Sequence, residues 1–160
     1  MIYYDKDGIM VRSSIEQDIG RMKNSLRESD IQEVYAAANL TPEQALRFSY
    51  ESSSMCLTVE KNKEPIAMFG ISPATLISNT GSIWLLSTDG IKSIRKSFIK
   101  KSRWFINIML SQFPLLENYV DARNKLSIRW LKWCGAKIQE PRPYGPENRP
   151  FSYFSFGGTI

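Results

Sequence analysis

Apolar residues in the first 54 positions recur mainly at helical spacing. A short strand is predicted at 10–12, followed by a helix whose apolar face consists of Ile15, Ile19, Met22 and Leu26. Ser14 and Gln17 fit the capping box that would start this helix. A second helix is predicted from Ser29 to a stop at Asn39.

The clearest local signal in this half of the chain starts a third helix at Thr41. A Thr cap, a proline at the first helical position and a glutamine at the third are found together in Thr41-Pro42-Glu43-Gln44. This pattern predicts a helix that turns Ala45, Leu46 and Tyr50 inward.

The hydrophobic period then changes to that of strands. Two apolar runs, 55–60 and 65–71, flank the polar turn 61–64 and predict a β-hairpin. The run 82–88 predicts a central strand, and a long helix follows within 92–112.

The remaining residues predict another strand at 116–122 and a helix that begins after Asn124 and stops at Gly135. Residues 136–138 and 151–156 predict a closing hairpin around a proline-rich loop. A strand–helix–strand step implies parallel neighbours, whereas hairpins imply antiparallel ones. The fold class is therefore α+β, with a mixed central sheet flanked by helices.

Composition narrows the chemistry that such a fold could carry. The 160 residues are expected to form a single domain, and they include no histidine, which excludes imidazole-based catalysis and His metal sites. No metal site is predicted, because Cys56 and Cys134 have neither metal-ligand nor disulfide-framework spacing. We interpret them as reduced, mostly buried thiols of a cytoplasmic protein. No apolar stretch approaches the ~18 residues of a membrane span.

The segment 124–135 carries a resemblance to a known family. Asn124, a small residue at Ser127, the Ile128-Arg129 pair and the terminal Gly135 resemble the C-terminal helix of the GCN5-related N-acetyltransferases (GNAT superfamily). The order of predicted elements is also similar to the GNAT fold. The resemblance implies one GNAT-like domain over 1–160 that binds acetyl-CoA between two splayed parallel strands.

A closer resemblance is to GNAT-like internal virion or core proteins of podophages. It is strongest over 82–156 and is carried by the segments 83–89, 119–124 and 151–156. It implies a bacteriophage protein in the host cytoplasm, with association with the virion as an alternative. The acceptor implied is an amine, on a host or phage protein.

The resemblance also implies, position by position, which residues would hold acetyl-CoA. Leu86, Ser87 and Thr88 would offer backbone groups to the pantetheine. The pyrophosphate would face Lys92, Arg95, Lys96 and Ser97, and the helix residues Asn124 and Ser127 would lie along the pantetheine arm. A helix start with nearby cations is a physically sound anion site.

Two departures from the family pattern bear on activity. The stretch 92–97 lacks the glycines that let the family's backbone approach the phosphates, and Leu131 stands where enzymes of the family usually have a tyrosine acid. Acid–base candidates near the implied cleft are Asp121 and Tyr119, with Glu60 on the hairpin as a further carboxylate. An alternative is a catalytically inactive GNAT-fold protein that acts in virion morphogenesis or host takeover.

The net charge of +5 has a local origin that leaves two interpretations open. Lysines and arginines crowd 92–103 without an acidic residue between them, which fits either a solvated helix face or an anion site. A further alternative is nucleic-acid binding through this helix, which would require exposed aromatic side chains beside the cations. The spacing of Trp104 and Phe105 predicts that both lie in the core, and Trp130 and Trp133 are interpreted as packing residues.

Overall fold

The computed structural model describes residues 1–158, which form one mixed β-sheet with helices on both faces. Eight strands follow the order β1-β2-β3-β4-β5-β6-β9-β7, and β8 pairs with β9 beside this path. The strands are β1 (Ile2–Lys6), β2 (Ile9–Ser13), β3 (Met55–Lys61), β4 (Glu64–Pro73), β5 (Thr80–Ser87), β6 (Leu115–Asp121), β7 (Lys137–Ile138), β8 (Arg142–Tyr144) and β9 (Arg149–Gly157). The pairing of β5 with β6 is parallel and the other pairs are antiparallel. The predicted mixed sheet and α+β class are confirmed.

The helices divide between the two faces of the sheet. They are α1 (Glu16–Met22), α2 (Glu28–Ala38), α3 (Pro42–Ser52), α4 (Arg95–Gln112) and α5 (Lys125–Trp133), and a 3-10 helix over Asp89–Ile94 precedes α4. Side chains of α1 and α3 pack on Met68 and Leu86, in a cluster that α2 also joins. Side chains of α4 and α5 pack on the alternate residues, such as Phe69 and Ile83. Successive strand residues point to opposite faces, so the sheet separates two apolar cores.

The sheet opens between its two parallel strands. Residues Thr80–Ser82 of β5 pair with Leu115–Glu117 of β6, and the pairing ends there although both strands continue. The Asn118 side chain bridges the start of the opening by donating to the Ile83 carbonyl at 2.7 Å. The two strands therefore splay apart along their C-terminal halves.

Most predicted helix boundaries are confirmed, because their signals are local. Thr41 Oγ1 accepts from the Gln44 N–H, and the Gln44 side chain accepts from the Thr41 N–H. Asn39 ends α2 in the left-handed conformation with φ 55°, and Gly135 follows α5 with φ 95°. The structure describes no helix long and apolar enough to cross a membrane.

Three predictions about local structure are wrong. Ser14 and Gln17 do not cap α1, because Ile15 is the N-cap residue and the Asp18 carboxylate accepts from its N–H at 3.0 Å. Leu26 lies beyond α1, where it forms an isolated antiparallel bridge with Thr88. Trp104 lies on the outer side of α4 and is 47% exposed, while the adjacent Phe105 is buried as predicted. In addition, strands β1 and β8 have no counterpart in the predicted elements.

Candidate functional site

The opening between β5 and β6 forms a cavity that passes through the sheet. Its volume is about 500 Å³. On one face the walls come from α2 and α3, and on the other they come from α4 and α5. Most of the lining is apolar, with Phe69, Phe105 and Leu131 among its residues. A cavity of this size and character is typical of a binding site for a small molecule or an extended chain.

The end of β5 is occupied by the start of α2. The Ser87 N–H donates to Asp30 Oδ2 at 2.9 Å, and the Ser87 carbonyl accepts from the Arg27 N–H at 2.9 Å. Asp30 also accepts from Arg27 Nη2 at 2.8 Å, and both of these side chains are buried. The chain itself therefore satisfies the two backbone groups that Ser87 turns away from β4.

Thr88 and Leu86, which were also predicted to offer backbone groups to a cofactor, are hydrogen-bonded to β4. The Thr88 N–H donates to the Ile66 carbonyl at 2.9 Å, and Leu86 pairs with Met68 of β4. Backbone N–H and carbonyl groups alternate in direction along a strand, so those of Leu85 point towards the opening as those of Ser87 do. Leu85 also lines the cavity. Of the predicted set Leu86, Ser87 and Thr88, the structure brings only Leu86 to the cavity wall.

The turn between β5 and α4 is helical rather than open. Thr88 caps the 3-10 helix by accepting from the Gly90 N–H at 3.1 Å, and the helix continues directly into α4. Backbone amides inside a 3-10 helix are used in its own hydrogen bonds. Lys92, Arg95 and Lys96 are exposed around this turn, and Lys92 pairs with Asp89 at 3.1 Å. Ser97 lies on the other side of α4, in a small crevice beside Tyr4.

Aromatic side chains close the cavity between α4 and α5. Phe98 stacks on Trp130 with ring centroids 5.7 Å apart, and Trp130 Nε1 donates to Ser102 Oγ at 3.0 Å. Asn124 and Ser127 line the cavity, and Asn124 Oδ1 accepts from the Ser127 N–H at 3.3 Å. Asn124 thus caps α5, as its position predicts, and its side-chain amide group turns towards α2.

The most distinctive titratable group of the cavity is Glu33 on α2. Its Oε2 accepts from Asn124 Nδ2 at 2.9 Å. Burial, together with the negative charges of Asp30 and Asp121, raises the pKa of Glu33 to about 7, against the smaller opposing effect of the Asn124 hydrogen bond. A carboxyl group that titrates near neutral pH in a cavity is a candidate for proton transfer or for pairing with a cation.

Asp121 and Tyr119 lie near Glu33, but each has its own partner. Burial alone would raise the pKa of Asp121, but hydrogen bonds from the Arg123 guanidinium and N–H hold it below its usual range. Tyr119 lines the cavity and stacks on Tyr144 with ring centroids 4.1 Å apart. Asp121 is therefore already paired with Arg123, whereas the two tyrosines form a wall of the cavity.

The proline-rich loop covers this wall. Gly145 has φ 76°, and a Cβ atom there would lie 2.1 Å from the Ala36 carbonyl oxygen of α2. The close approach seats the loop against the C-terminal end of α2 and positions Tyr144 at the cavity. The loop is thus part of the site.

Glu60 lies away from the cavity, in a separate charged cluster. Arg12 Nε donates to Glu60 Oε1 at 3.0 Å, and Arg12 Nη2 donates to Asp18 Oδ1 at 2.8 Å. Burial would raise the pKa of Asp18, but hydrogen bonds from Arg12, Ile15 and Thr58 lower it. The cluster joins α1 to strands β2 and β3, so the structure does not bring Glu60 together with the other predicted site residues.

Sequence reasoning missed the contribution of α2 altogether. Asp30 and Glu33 are three residues apart and therefore share one side of that helix, and Arg27 precedes it as the N-cap residue. On an isolated helix such a row is typical of a solvated face. Their spacing therefore contains no signal that selects Glu33.

Comparison with solved structures defines the class of fold. Ard1 from Thermoplasma volcanium superposes with a TM-score of 0.71 at 14% identity, over 96% of this chain and 99% of that one. The GNAT-family acetyltransferase from Bacillus anthracis gives 0.68 at 10% identity, over 98% of each chain. The ribosomal-protein-S18-alanine N-acetyltransferase from Escherichia coli gives 0.65 at 10% identity, over 95% of each. The fold is that of the GNAT acetyltransferases.

Sequence comparison identifies a narrower group. The profile of the family described as "Bacteriophage T7, probable scaffold protein Gp13" matches residues 56–141, which is more than half of the chain. The chain belongs to this family. No curated protein sequence matches it.

Proposed function

We propose that this chain is a phage assembly protein that uses the GNAT fold without acetyl-CoA chemistry. The observation that carries the proposal is the engagement of Ser87. Its cleft-facing N–H and carbonyl already bond to Asp30 and Arg27, at the position where the GNAT resemblance puts the pantetheine arm. The residues present therefore do not fit acetyl-CoA.

The contacts at Ser87 set the free energy that binding of acetyl-CoA at the end of β5 would cost. A pantetheine arm at this strand end would have to break two hydrogen bonds, each worth about 1 kcal/mol net. It would also break the Leu26–Thr88 bridge and expose the buried Leu26 side chain, which costs about 2 kcal/mol. The total of about 4 kcal/mol corresponds to nearly three orders of magnitude in Kd.

The turn before α4 adds to this mismatch. A phosphate site needs unpaired backbone N–H groups, and the 3-10 helix over Asp89–Ile94 uses such groups internally. The assembly part of the proposal rests on the family, whose description names a scaffold protein of a bacteriophage.

Acetyl-CoA binding is the direct test. We expect no change in thermal midpoint when about 1 mM acetyl-CoA is added at about 0.2 M salt, a concentration that suppresses non-specific ionic binding. A ligand present at about 100 times its Kd would stabilise the protein by about 2.7 kcal/mol and shift the midpoint by several degrees. Such a shift, with matching heat in titration calorimetry, would overturn the proposal.

A second candidate function is acyl transfer to an amine, and Glu33 is the observation that favours it. Its carboxyl group has a pKa near the working pH and lies on the cavity side opposite α4 and α5, where an amine could lose its proton to it. Glu33, rather than Asp121 or Glu60, would then be the base. In the phage that encodes the chain, Glu33→Gln should leave particle yield unchanged if the assembly role is correct, and should abolish complementation if proton transfer is required.

A further inference from the structure

Helices α4 and α5 together present one continuous cationic surface. We call it the basic face and define it by the exposed residues Lys96, Lys100, Arg103, Lys125, Arg129 and Lys132. The helices are adjacent, because Trp130 donates to Ser102 and the Arg103 guanidinium donates to the Trp133 carbonyl, with the shorter contact 2.6 Å. In each helix the three cations span eight residues, which is seven rises of 1.5 Å or about 10 Å. The axes of two packed helices typically lie about 8–10 Å apart.

The charge of the molecule is concentrated on this side of the sheet. Residues 90–139 hold eleven of the 21 lysines and arginines but two of the 16 acidic residues, Glu117 and Asp121. Neither acid lies on α4 or α5. The remainder of the chain holds ten basic and fourteen acidic residues. Within the described residues 1–158, no ion pair involves a cation of the basic face, and Arg103 alone among them is held by another group, the Trp133 carbonyl and ring.

Exposed tryptophans accompany the cations. Trp133 is 42% exposed, and the Arg103 guanidinium lies 4.2 Å from the centre of its ring. Trp104 is 47% exposed on the outer side of α4, four residues after Lys100. Two partly exposed indole rings on one surface offer flat apolar area that is suited to contact with a partner. The combination of uncompensated cations with exposed indole rings is what single-stranded nucleic acids require.

We propose that the basic face binds single-stranded nucleic acid, with phosphates on its cations and bases stacked on Trp133 and Trp104. Single strands are favoured over duplexes because a duplex offers no free base faces for stacking. An acidic protein surface would use the cations but would leave the tryptophans without a specific partner. This binding uses the outer surface of the helices rather than the cavity, and Lys96 is the one residue of the basic face that the resemblance also places at the cofactor's pyrophosphate.

Fluorescence anisotropy of a labelled oligothymidylate of about 20 nucleotides tests the proposal on the full chain. We expect binding at about 50 mM salt and a slope of log K against log salt near −4, since each of six phosphate contacts contributes about −0.7. The variant Lys100→Ala/Lys132→Ala should bind roughly tenfold more weakly, with a slope reduced to about −3. The variant Trp133→Leu should lose about fivefold or more in affinity without a change in slope.

The matched control removes two exposed charges elsewhere. Lys6→Ala/Lys63→Ala changes the net charge equally, at the end of β1 and in the turn between β3 and β4, and should bind like the wild type. Equal losses in the two double variants would reduce the effect to net charge and overturn the proposal. Three other results would overturn it: no binding at low salt, equal affinity for a duplex of the same length, or equally effective competition by polyglutamate or by acetyl-CoA.

Discussion

Replacing Asp30 with alanine tests the contact that closes the end of β5. The carboxylate accepts from the Ser87 N–H at 2.9 Å and from Arg27 Nη2 at 2.8 Å, and the Arg27 and Asp30 side chains are only 8% and 5% exposed. The substitution leaves a buried guanidinium without its anion, which typically costs about 3–5 kcal/mol. It also removes the acceptor of a buried N–H, which costs about 1–3 kcal/mol when unsatisfied.

These two effects overlap, because water entering the site would partly solvate both groups. We therefore expect a loss of about 4 kcal/mol in the free energy of unfolding, seen in urea denaturation as a lower midpoint at an unchanged m-value. Asp30→Asn keeps an oxygen for the Ser87 N–H and loses only the charge, so its cost should be clearly smaller. The control is Asp89→Ala, whose ion pair with Lys92 is 73% and 64% exposed and should contribute less than about 1 kcal/mol.

An Asp30→Ala loss of less than about 1 kcal/mol, equal to that of Asp89→Ala, would refute the reasoning. It would mean that the start of α2 is not anchored on Ser87, and that the end of β5 is available to a ligand. Measurements on the Asn variant separate the two components, since a cost equal to that of alanine would assign the whole effect to the lost charge.

Three further predictions concern the cavity, its covering loop and the thiols. Burial raises the folded-state pKa of Glu33 to about 7, so its contribution to stability is greatest below its unfolded pKa near 4.3 and is lost as pH rises through 7. Urea denaturation at pH 5 and pH 8 should therefore show Glu33→Gln gaining stability relative to the wild type at the higher pH. A stability difference that does not depend on pH would contradict this. Gly145→Ala should lower the free energy of unfolding by more than about 1 kcal/mol, because φ is 76° and the added Cβ would meet a backbone carbonyl of α2. Gly20→Ala, in open space within α1, should raise it by about 0.5–1 kcal/mol. Thermal unfolding of both variants tests this, and equal shifts in their midpoints would contradict it. Burial raises the pKa of Cys56 and of Cys134 to about 11, so both thiols should react slowly with a disulfide reagent at pH 8 and rapidly in urea. Fast reaction of the folded protein would be inconsistent with their burial.

The order of helices and strands follows from the sequence because its determinants act over a few residues. Thr41 and Gln44 hydrogen-bond to each other's backbone N–H groups across three positions, and Asn124 bonds to Ser127 across the same interval. The change from helical to alternating apolar spacing at 55 marks the hairpin in the same local way. The wrong prediction at the start of α1 has an equally local cause, because the Asp18 carboxylate, rather than Ser14 and Gln17, hydrogen-bonds at the N-terminus of that helix.

Which groups meet at the site depends instead on the packing of distant segments. Asp30 and Ser87 are 57 residues apart, and Glu33 and Asn124 are 91 residues apart. No periodicity in α2 distinguishes a row of charges that faces a cavity from one that faces water, and both Asp30 and Glu33 acquire their properties only from burial against other elements. The outward position of Trp104 likewise depends on where α4 contacts the sheet.

The sequence alone was sufficient for the α+β class, the mixed sheet and the concentration of positive charge in 92–103, since composition and short-range hydrogen bonding carry that information. The tertiary structure decided that the opening between β5 and β6 is occupied at Ser87 by the chain itself, that Glu33 faces the cavity, and that α4 and α5 join their cations and tryptophans into one face. The physical reason is that burial, pKa and surface complementarity are properties of groups brought together across the fold, and they do not exist in any single segment.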